Sequence, residues 1–199
     1  MRWSTRELVM IGVFGALWGS IEISVGSAMH AFRVPFAGAP LAAAGMMIAL
    51  SGRVFVNRPG AIVFIGAVTA LLKMLSIGGL VFRPMIGIMA ECVAAEVMLL
   101  AIGPSRAGWA LAGAAAVLWT MVHPFVTALL FAGEAVLTVW AGLIERGGRL
   151  LGLDARAAAV IVGVIACGHL LLGGVAGLTA WSAAGTVRER LNPPGDGGR

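Results

Sequence analysis

Charged residues are scarce in this sequence. Only 12% of its 199 residues are Asp, Glu, Lys or Arg, about half the share that is typical of soluble domains, and the mean hydropathy is +0.98. This composition excludes an ordinary soluble protein and indicates an integral membrane protein. The basic residues that give the net charge of +5 are expected to interact with anionic lipid headgroups. No interleaving of basic and aromatic residues suggests a nucleic-acid surface.

Cysteines and catalytic motifs are also sparse. Cys92 and Cys167 stand in apolar runs without C-x-x-C or Cys/His ligand spacing, so we expect two buried thiols, with neither a disulfide nor a metal site. The chain contains no Walker A, Rossmann glycine, G-x-S-x-G or H-E-x-x-H pattern. Without an ATP motif the chain cannot power transport by hydrolysis itself. We therefore expect a protein that is not an enzyme and that has no cofactor.

Long apolar runs fill most of the sequence. A helix that crosses about 30 Å of hydrocarbon needs about 20 mostly apolar residues, and six runs approach this length. These runs predict an all-α, polytopic membrane helix bundle, with one transmembrane domain over residues 1–187 and a disordered cytoplasmic tail over residues 188–199. The predicted spans are Leu8–Ala28, Ala37–Leu50, Gly60–Ile77, Pro84–Ile102, Ala107–Phe131 and Ala157–Thr186.

The segment from Glu134 to Leu151 leaves a seventh span open. Its ten central apolar residues suit an interfacial helix or an extension of the fifth span, which keeps the count at six. A break at His123 to Phe125 would give two helices there and seven in total.

Arginines set the predicted orientation, because Lys73 is the only lysine. Six spans place both termini on the side with more arginines, so the positive-inside rule predicts cytoplasmic termini in the cell membrane. The more basic side holds Arg2, Arg6, Arg53, Arg58, Arg106, Arg188, Arg190 and Arg199. The other side holds Arg33, Arg83, Arg146, Arg149 and Arg156.

Glu22 lies at bilayer depth in the first span and shares a helical stripe with Gly15 and Gly19. A carboxylate there costs about 2.5–3.5 kcal/mol on insertion scales, so we expect this stripe to face an internal cavity. A structural ion pair or a protonated acid is the alternative. Lys73 is the candidate partner, although its stem could also extend to the membrane interface.

Further candidates lie in the later spans. Glu91 and Glu96 are five residues apart and therefore about 140° apart around a helix, so only one of them can face a cavity squarely; the small-residue stripe containing Gly87 favours Glu91. Trp18 or Trp119 could stack on a flat ring or anchor at the interface.

Two histidines are candidates for solute contacts, and ordinary helix packing explains each of them about as well. His123 precedes Pro124, which can kink a helix, and His169 aligns with small residues of the last span. We expect the pocket in the outer half of the bundle, gated by the loop from His30 to Gly38 and by the segment from Ser76 to Pro84.

Two segments carry a family resemblance. "NRPGAIVF" opens the third span after a basic loop, and "IGIMAECVAAEVML" lies in the fourth. With six predicted spans and no energising motif, the chain resembles the substrate-binding S component of an energy-coupling factor importer, closest to the group linked to thiamine and hydroxymethylpyrimidine uptake. The similarity covers the first hundred residues better than the rest.

The resemblance implies a bundle that captures a vitamin from outside and docks on a coupling membrane protein attached to two ATPases. The docking helix of the family carries Ala-x-x-x-Ala, and the matching place here has Ala16 and Ser20, which form one ridge with Gly12. From the buried charges and aromatic residues we predict a substrate site formed by Glu22, Trp18, Lys73, Glu91, Trp119, His123 and His169. An ion-coupled carrier that uses the buried acids, or an intramembrane enzyme that uses a histidine, remains an alternative.

Overall fold

The computed structural model describes residues 3–75, 82–132 and 136–191, and 88% of them are helical, with no strand among them. A π-helical segment, Ala128–Ala132, continues α5, and a short 3-10 helix, Ala155–Ala157, precedes α7. The helices are α1 (Thr5–Ala31), α2 (Gly38–Phe55), α3 (Ala61–Lys73), α4 (Phe82–Ile102), α5 (Arg106–Thr127), α6 (Val136–Leu151) and α7 (Ala158–Leu191).

Five of these helices are long and apolar enough to cross a membrane: α1, α2, α4, α5 with its π-helical extension, and α7. They correspond to five of the six predicted spans. The exception is the span predicted from Gly60 to Ile77, where α3 ends at Lys73 after 13 residues. A helix of this length rises only about 20 Å, which is shorter than the hydrocarbon layer. Ile77 lies outside the described residues.

The uncertain segment before α7 forms a separate helix, α6. Its inner face packs on α7 through Leu143, Ile144, Ile161 and Ile165, whereas Glu145 is exposed. This amphipathic pattern is the one that an interfacial helix requires. This helix is not one of the five that are long and apolar enough to cross a membrane.

The contact between α5 and α7 depends on glycines. A Cβ atom at Gly113 would lie 2.2 Å from the Gly173 carbonyl oxygen, and one at Gly177 would lie 2.1 Å from the Trp109 carbonyl oxygen. Any side chain there would collide with backbone. Gly173 and Gly177 are four residues apart, the spacing of small residues that allows two membrane helices to approach closely.

The first helix packs on α3 and α2 through its small-residue stripe. A Cβ at Gly15 would lie 2.6 Å from Val68, and a Cβ at Gly19 would lie 2.8 Å from Leu72. Trp18 is fully buried, and its indole covers Gly45 of α2. The prediction that Gly15 and Gly19 face a pocket is therefore wrong: these glycines bring α1 into close contact with α3.

Two smaller expectations change as well. The last helix continues to Leu191, four residues into the segment predicted as a tail, and residues 192–199 lie outside the described part of the chain. Cys92 is buried beneath Gly66, but Cys167 is exposed on α7, so only one thiol is buried as expected.

Candidate functional site

A cavity of about 1060 Å³ opens at one end of the bundle. It lies where the C-terminal parts of α1, α3 and α5 meet the N-terminal parts of α2 and α4, with α6 and α7 closing one side. We call this the cavity end, and the end near the chain N-terminus the opposite end. Nine charged or histidine residues line the cavity: Glu22, Arg33, Lys73, Arg83, Glu91, His123, Arg146, Arg149 and His169.

The loop between α1 and α2 forms part of the wall. Arg33 and Phe36 both have positive φ angles, 51° and 55°, a conformation that non-glycine residues seldom adopt. The Val34 amide donates to the Met29 carbonyl at 3.0 Å, and the Ala39 amide donates to the Phe36 carbonyl at 3.0 Å. This compact turn places residues 33–38 against the cavity, at the position predicted for one gate.

The second predicted gate is described only in part. Arg83 and Pro84, at the start of α4, line the cavity. Residues 76–81 of that segment lie outside the described residues, and so do the side chains of Phe82 and His30.

Glu22 and Lys73 form a buried ion pair on the cavity wall. The Lys73 Nζ atom lies 3.3 Å from Glu22 Oε2 and donates a hydrogen bond of 2.6 Å to the Glu22 backbone carbonyl. Each side chain is only 11% exposed. Lys73 is thus the partner of Glu22 that the sequence predicts, and the alternative of a lysine stem extending freely to the interface does not describe this structure.

Glu91 lies on the same cavity wall without such a partner. Its residue is 7% exposed, and its carboxylate makes no hydrogen bond or ion pair with any described residue. Glu22 is close enough to act on it electrostatically. Glu91 is therefore a buried acceptor with free lone pairs beside a cavity, which a solute can satisfy.

Glu96 faces away from the cavity, as the angle between the two acids predicts. One oxygen accepts a hydrogen bond of 3.1 Å from the Ile62 amide, in the first turn of α3, and the other lies 3.8 Å from Arg53 Nε. The residue before α3 is Gly60, which has no side chain to cap the helix. Glu96 supplies that acceptor from α4 and complements the positive end of the α3 dipole.

Both candidate histidines line the cavity, and each is held by a backbone carbonyl. His123 Nε2 is 2.9 Å from the Arg83 oxygen, and His169 Nδ1 is 2.7 Å from the Ile165 oxygen. A carbonyl can only accept, so these nitrogens carry the proton. In the neutral rings, His123 Nδ1 and His169 Nε2 are then hydrogen-bond acceptors. His169 also meets the Phe36 ring edge to face, with centroids 6.2 Å apart.

The two candidate tryptophans do not line this cavity. Trp18 is packed against α2, and Trp119 is half-buried on α5, where its buried Nε1 atom has no hydrogen-bond partner among the described residues. Their assignment to the cavity is therefore corrected. Trp18 fills the space above Gly45 of α2, and Trp119 points in a different direction from Thr120, the next residue of α5, which does line the cavity. Phe36 is the aromatic side chain that the cavity gains instead.

The predicted docking ridge lies on the outside of α1. A Cβ at Gly12 would have no atom within 4 Å, and Ala16 and Ser20 are exposed. The Ser20 hydroxyl donates to the Ala16 carbonyl at 2.8 Å, so it is satisfied within its own helix. The ridge is thus a small, self-satisfied surface on which no described helix packs.

Sequence reasoning missed most of the arginines at this site. Arg33, Arg83, Arg146 and Arg149 entered the sequence argument mainly as orientation markers, and all four line the cavity. The available signal was that all four are predicted on the same side of the membrane. Within the described chain, no group of three Asp, Glu, His or Cys residues is placed to bind a metal ion.

Comparisons of this chain with family models, with curated proteins and with solved structures found no match.

Proposed function

We propose that this protein is the substrate-capture S component of an energy-coupling factor importer, which binds a small vitamin or vitamin precursor of the thiamine or hydroxymethylpyrimidine type. The observation that carries the proposal is the cavity, whose wall holds the buried carboxyl group of Glu91 without a partner in the part of the chain that the structure describes. Burying a charge without compensation is costly. A bound solute with amino or cationic groups would supply the missing donors.

Binding fits the arrangement better than bond cleavage does. Each cavity histidine already uses one ring nitrogen on a backbone carbonyl, and neither imidazole ring is hydrogen-bonded to a hydroxyl, thiol or carboxylate of a described residue. Nucleophilic catalysis needs a base within hydrogen-bond reach of its nucleophile. We infer that the protein is not an enzyme and that the histidines present acceptors to a solute.

The size and lining of the cavity support a small heterocyclic solute. Its volume lies at the upper end of the range of about 300–1,000 Å³ for small-molecule sites. Phe36 and His169 offer ring surfaces, and Glu22 and Glu91 offer acceptors for exocyclic amino groups. The proposed orientation, with cytoplasmic termini in the cell membrane, places this opening on the outer side.

Delivery would use the exposed ridge of α1. Gly12, Ala16 and Ser20 would let a helix of a coupling membrane protein approach closely, and that protein would carry two ATPase subunits. The ridge lies on the outer surface of α1, whereas Glu22 lines the cavity, so docking and solute binding would use different faces of one helix.

The binding claim is tested by purifying the protein in lipid nanodiscs, identifying any co-purified small molecule by mass spectrometry, and titrating thiamine and hydroxymethylpyrimidine calorimetrically. We expect binding of at least one compound and loss of affinity in Glu91→Gln. Saturation of Glu91→Gln at wild-type affinity would contradict the site. No binding by either compound would contradict the substrate class.

The docking claim is tested by co-purification with the coupling protein and ATPases. Ala16→Trp should lose the complex, whereas Leu171→Trp, a matched change at an exposed position of α7, should keep it. Solute uptake into vesicles that lack any ATPase would instead identify an ion-coupled carrier.

A further inference from the structure

Unpaired arginines are concentrated at the mouth of the cavity. Arg33 and Arg146 are exposed, and Arg83 is half-buried. None of the three has an ion pair with a described residue, whereas Arg149 pairs with Glu145. Three guanidinium groups that line one opening without such a pair are available to bind an anion.

The interior of the same cavity holds acidic side chains instead of arginines. Lys73 pairs with Glu22 at 3.3 Å, which leaves Glu91, more than nine-tenths buried, as the cavity acid without a pair among the described residues. The cavity therefore has an acidic interior and a basic rim. A solute that binds to both the interior and the rim must carry a hydrogen-bond donor or cation at one end and an anionic group at the other.

The rim also departs from the expected distribution of arginine. Positive charge favours the cytoplasmic side, so arginines on the other side weaken the orientation signal. Five arginines are predicted on that side, and four of them line the cavity; the fifth, Arg156, is almost fully exposed beside Asp154. Ligand recognition explains this concentration because the planar guanidinium group binds phosphate and carboxylate oxygens in a bidentate manner.

We propose that the solute is amphoteric, with a phosphate or carboxylate held by Arg33, Arg83 and Arg146 at the mouth and an amino or cationic heterocycle held by Glu91 inside. This inference rests on the proposed function, because it requires that the cavity binds a solute. It goes further by requiring an anionic group that thiamine and hydroxymethylpyrimidine both lack.

Two matched pairs of probes test the inference: thiamine with thiamine monophosphate, and hydroxymethylpyrimidine with its phosphate ester. Calorimetry on the full-length protein should show at least tenfold tighter binding of the phosphate ester in each pair that binds. Because the added contact is between charges, the ratio should fall as salt rises from 50 to about 500 mM. Equal or weaker binding of the esters would overturn the inference.

Variants assign the effect to the rim. The double variant Arg83→Gln/Arg146→Gln should reduce the ester preference to less than threefold. Arg156→Gln, a matched change on the same side but outside the cavity, should keep the preference. An ester preference that survives in the double variant, with a melting temperature equal to wild type, would overturn the role of the rim.

The outcomes separate this inference from the proposed function. Binding of the parent compounds without any ester preference overturns the amphoteric solute and leaves the proposed function intact. No binding of any of the four probes overturns both. Tighter binding of dihexanoyl phosphatidylethanolamine, which presents the same two charges on a lipid, would assign the cavity to a membrane headgroup and overturn a soluble solute.

Discussion

Glu91 and Glu96 are the same residue type in one helix, both more than nine-tenths buried, yet they have opposite surroundings. Glu96, toward the opposite end, accepts the Ile62 amide and faces Arg53. Glu91, at the cavity end, has an opening beside it and no partner among the described residues. Burial of an acid therefore does not by itself identify a solute site; the candidate is the acid that lines a cavity and has no partner among the described residues.

The short helix α3 connects the two ends. Its first turn meets Glu96 and its last residue, Lys73, meets Glu22. An acid at the N-terminus and a cation at the C-terminus both complement the helix dipole. The same helix is thus fixed by a structural ion contact at one end and contributes to the cavity wall at the other.

The largest expected effect comes from breaking the pair at the cavity end. Lys73→Met leaves Glu22 buried without its counter-charge, and removal of one partner of a buried ion pair costs about 3–5 kcal/mol. Equilibrium unfolding in detergent measures this loss. The double variant Glu22→Gln/Lys73→Met should recover most of it, and a single variant as stable as wild type would show that the pair contributes nothing to folding.

Glu91→Gln should reduce solute affinity by about tenfold or more, which corresponds to about 1.4 kcal/mol. The charged acceptor is lost while the shape of the side chain is kept. Calorimetric titration measures the affinity, and the unfolding free energy should not fall, because no described residue depends on this carboxylate. A stability loss without an affinity loss would make Glu91 a structural residue like Glu96.

Glu96→Gln should show the reverse pattern. The amide oxygen can still accept from Ile62, but the attraction to Arg53 and to the helix dipole is lost, so we expect a loss of stability of about 1 kcal/mol. Solute affinity should stay within twofold of wild type. A large affinity loss would mean that the opposite end also controls the cavity.

Glu145→Gln gives the smallest effect. This residue pairs with Arg149 across one turn of α6, and both side chains are 67% exposed. Such pairs contribute at most about 0.5 kcal/mol to stability, so the melting temperature should change by no more than about 2 °C. A clear destabilisation would show that this pair contributes more to the stability of α6 than is usual for an exposed ion pair.

The sequence predicts much of the fold because membrane helices follow directly from apolar length. Five predicted spans have matching helices, and α3 is the exception because its apolar run extends beyond the helix that ends at Lys73. The pairing of Glu22 with Lys73 and the different directions of Glu91 and Glu96 were also predictable, since helical rotation and the cost of buried charge limit the choices.

The contacts between helices decided which residues face the cavity and which face another helix, and the sequence pattern could not decide this. Gly15 and Gly19 form a stripe whether they face a cavity or another helix, and only the packing of α3 selects the second outcome. The buried position of the Trp18 side chain similarly depends on the absence of a side chain at Gly45. The arginine rim forms because the α1–α2 loop, α4 and α6 come together in the fold, and local residue spacing does not predict that contact.

The sequence alone determined the class of protein, the main helices and which charges are too costly to leave unpaired, because these follow from local apolar length and helical period. The tertiary structure alone decided which buried acid has a partner, which glycines serve packing, and that arginines from the α1–α2 loop, α4 and α6 surround one opening. Those outcomes depend on distances between segments far apart in the chain.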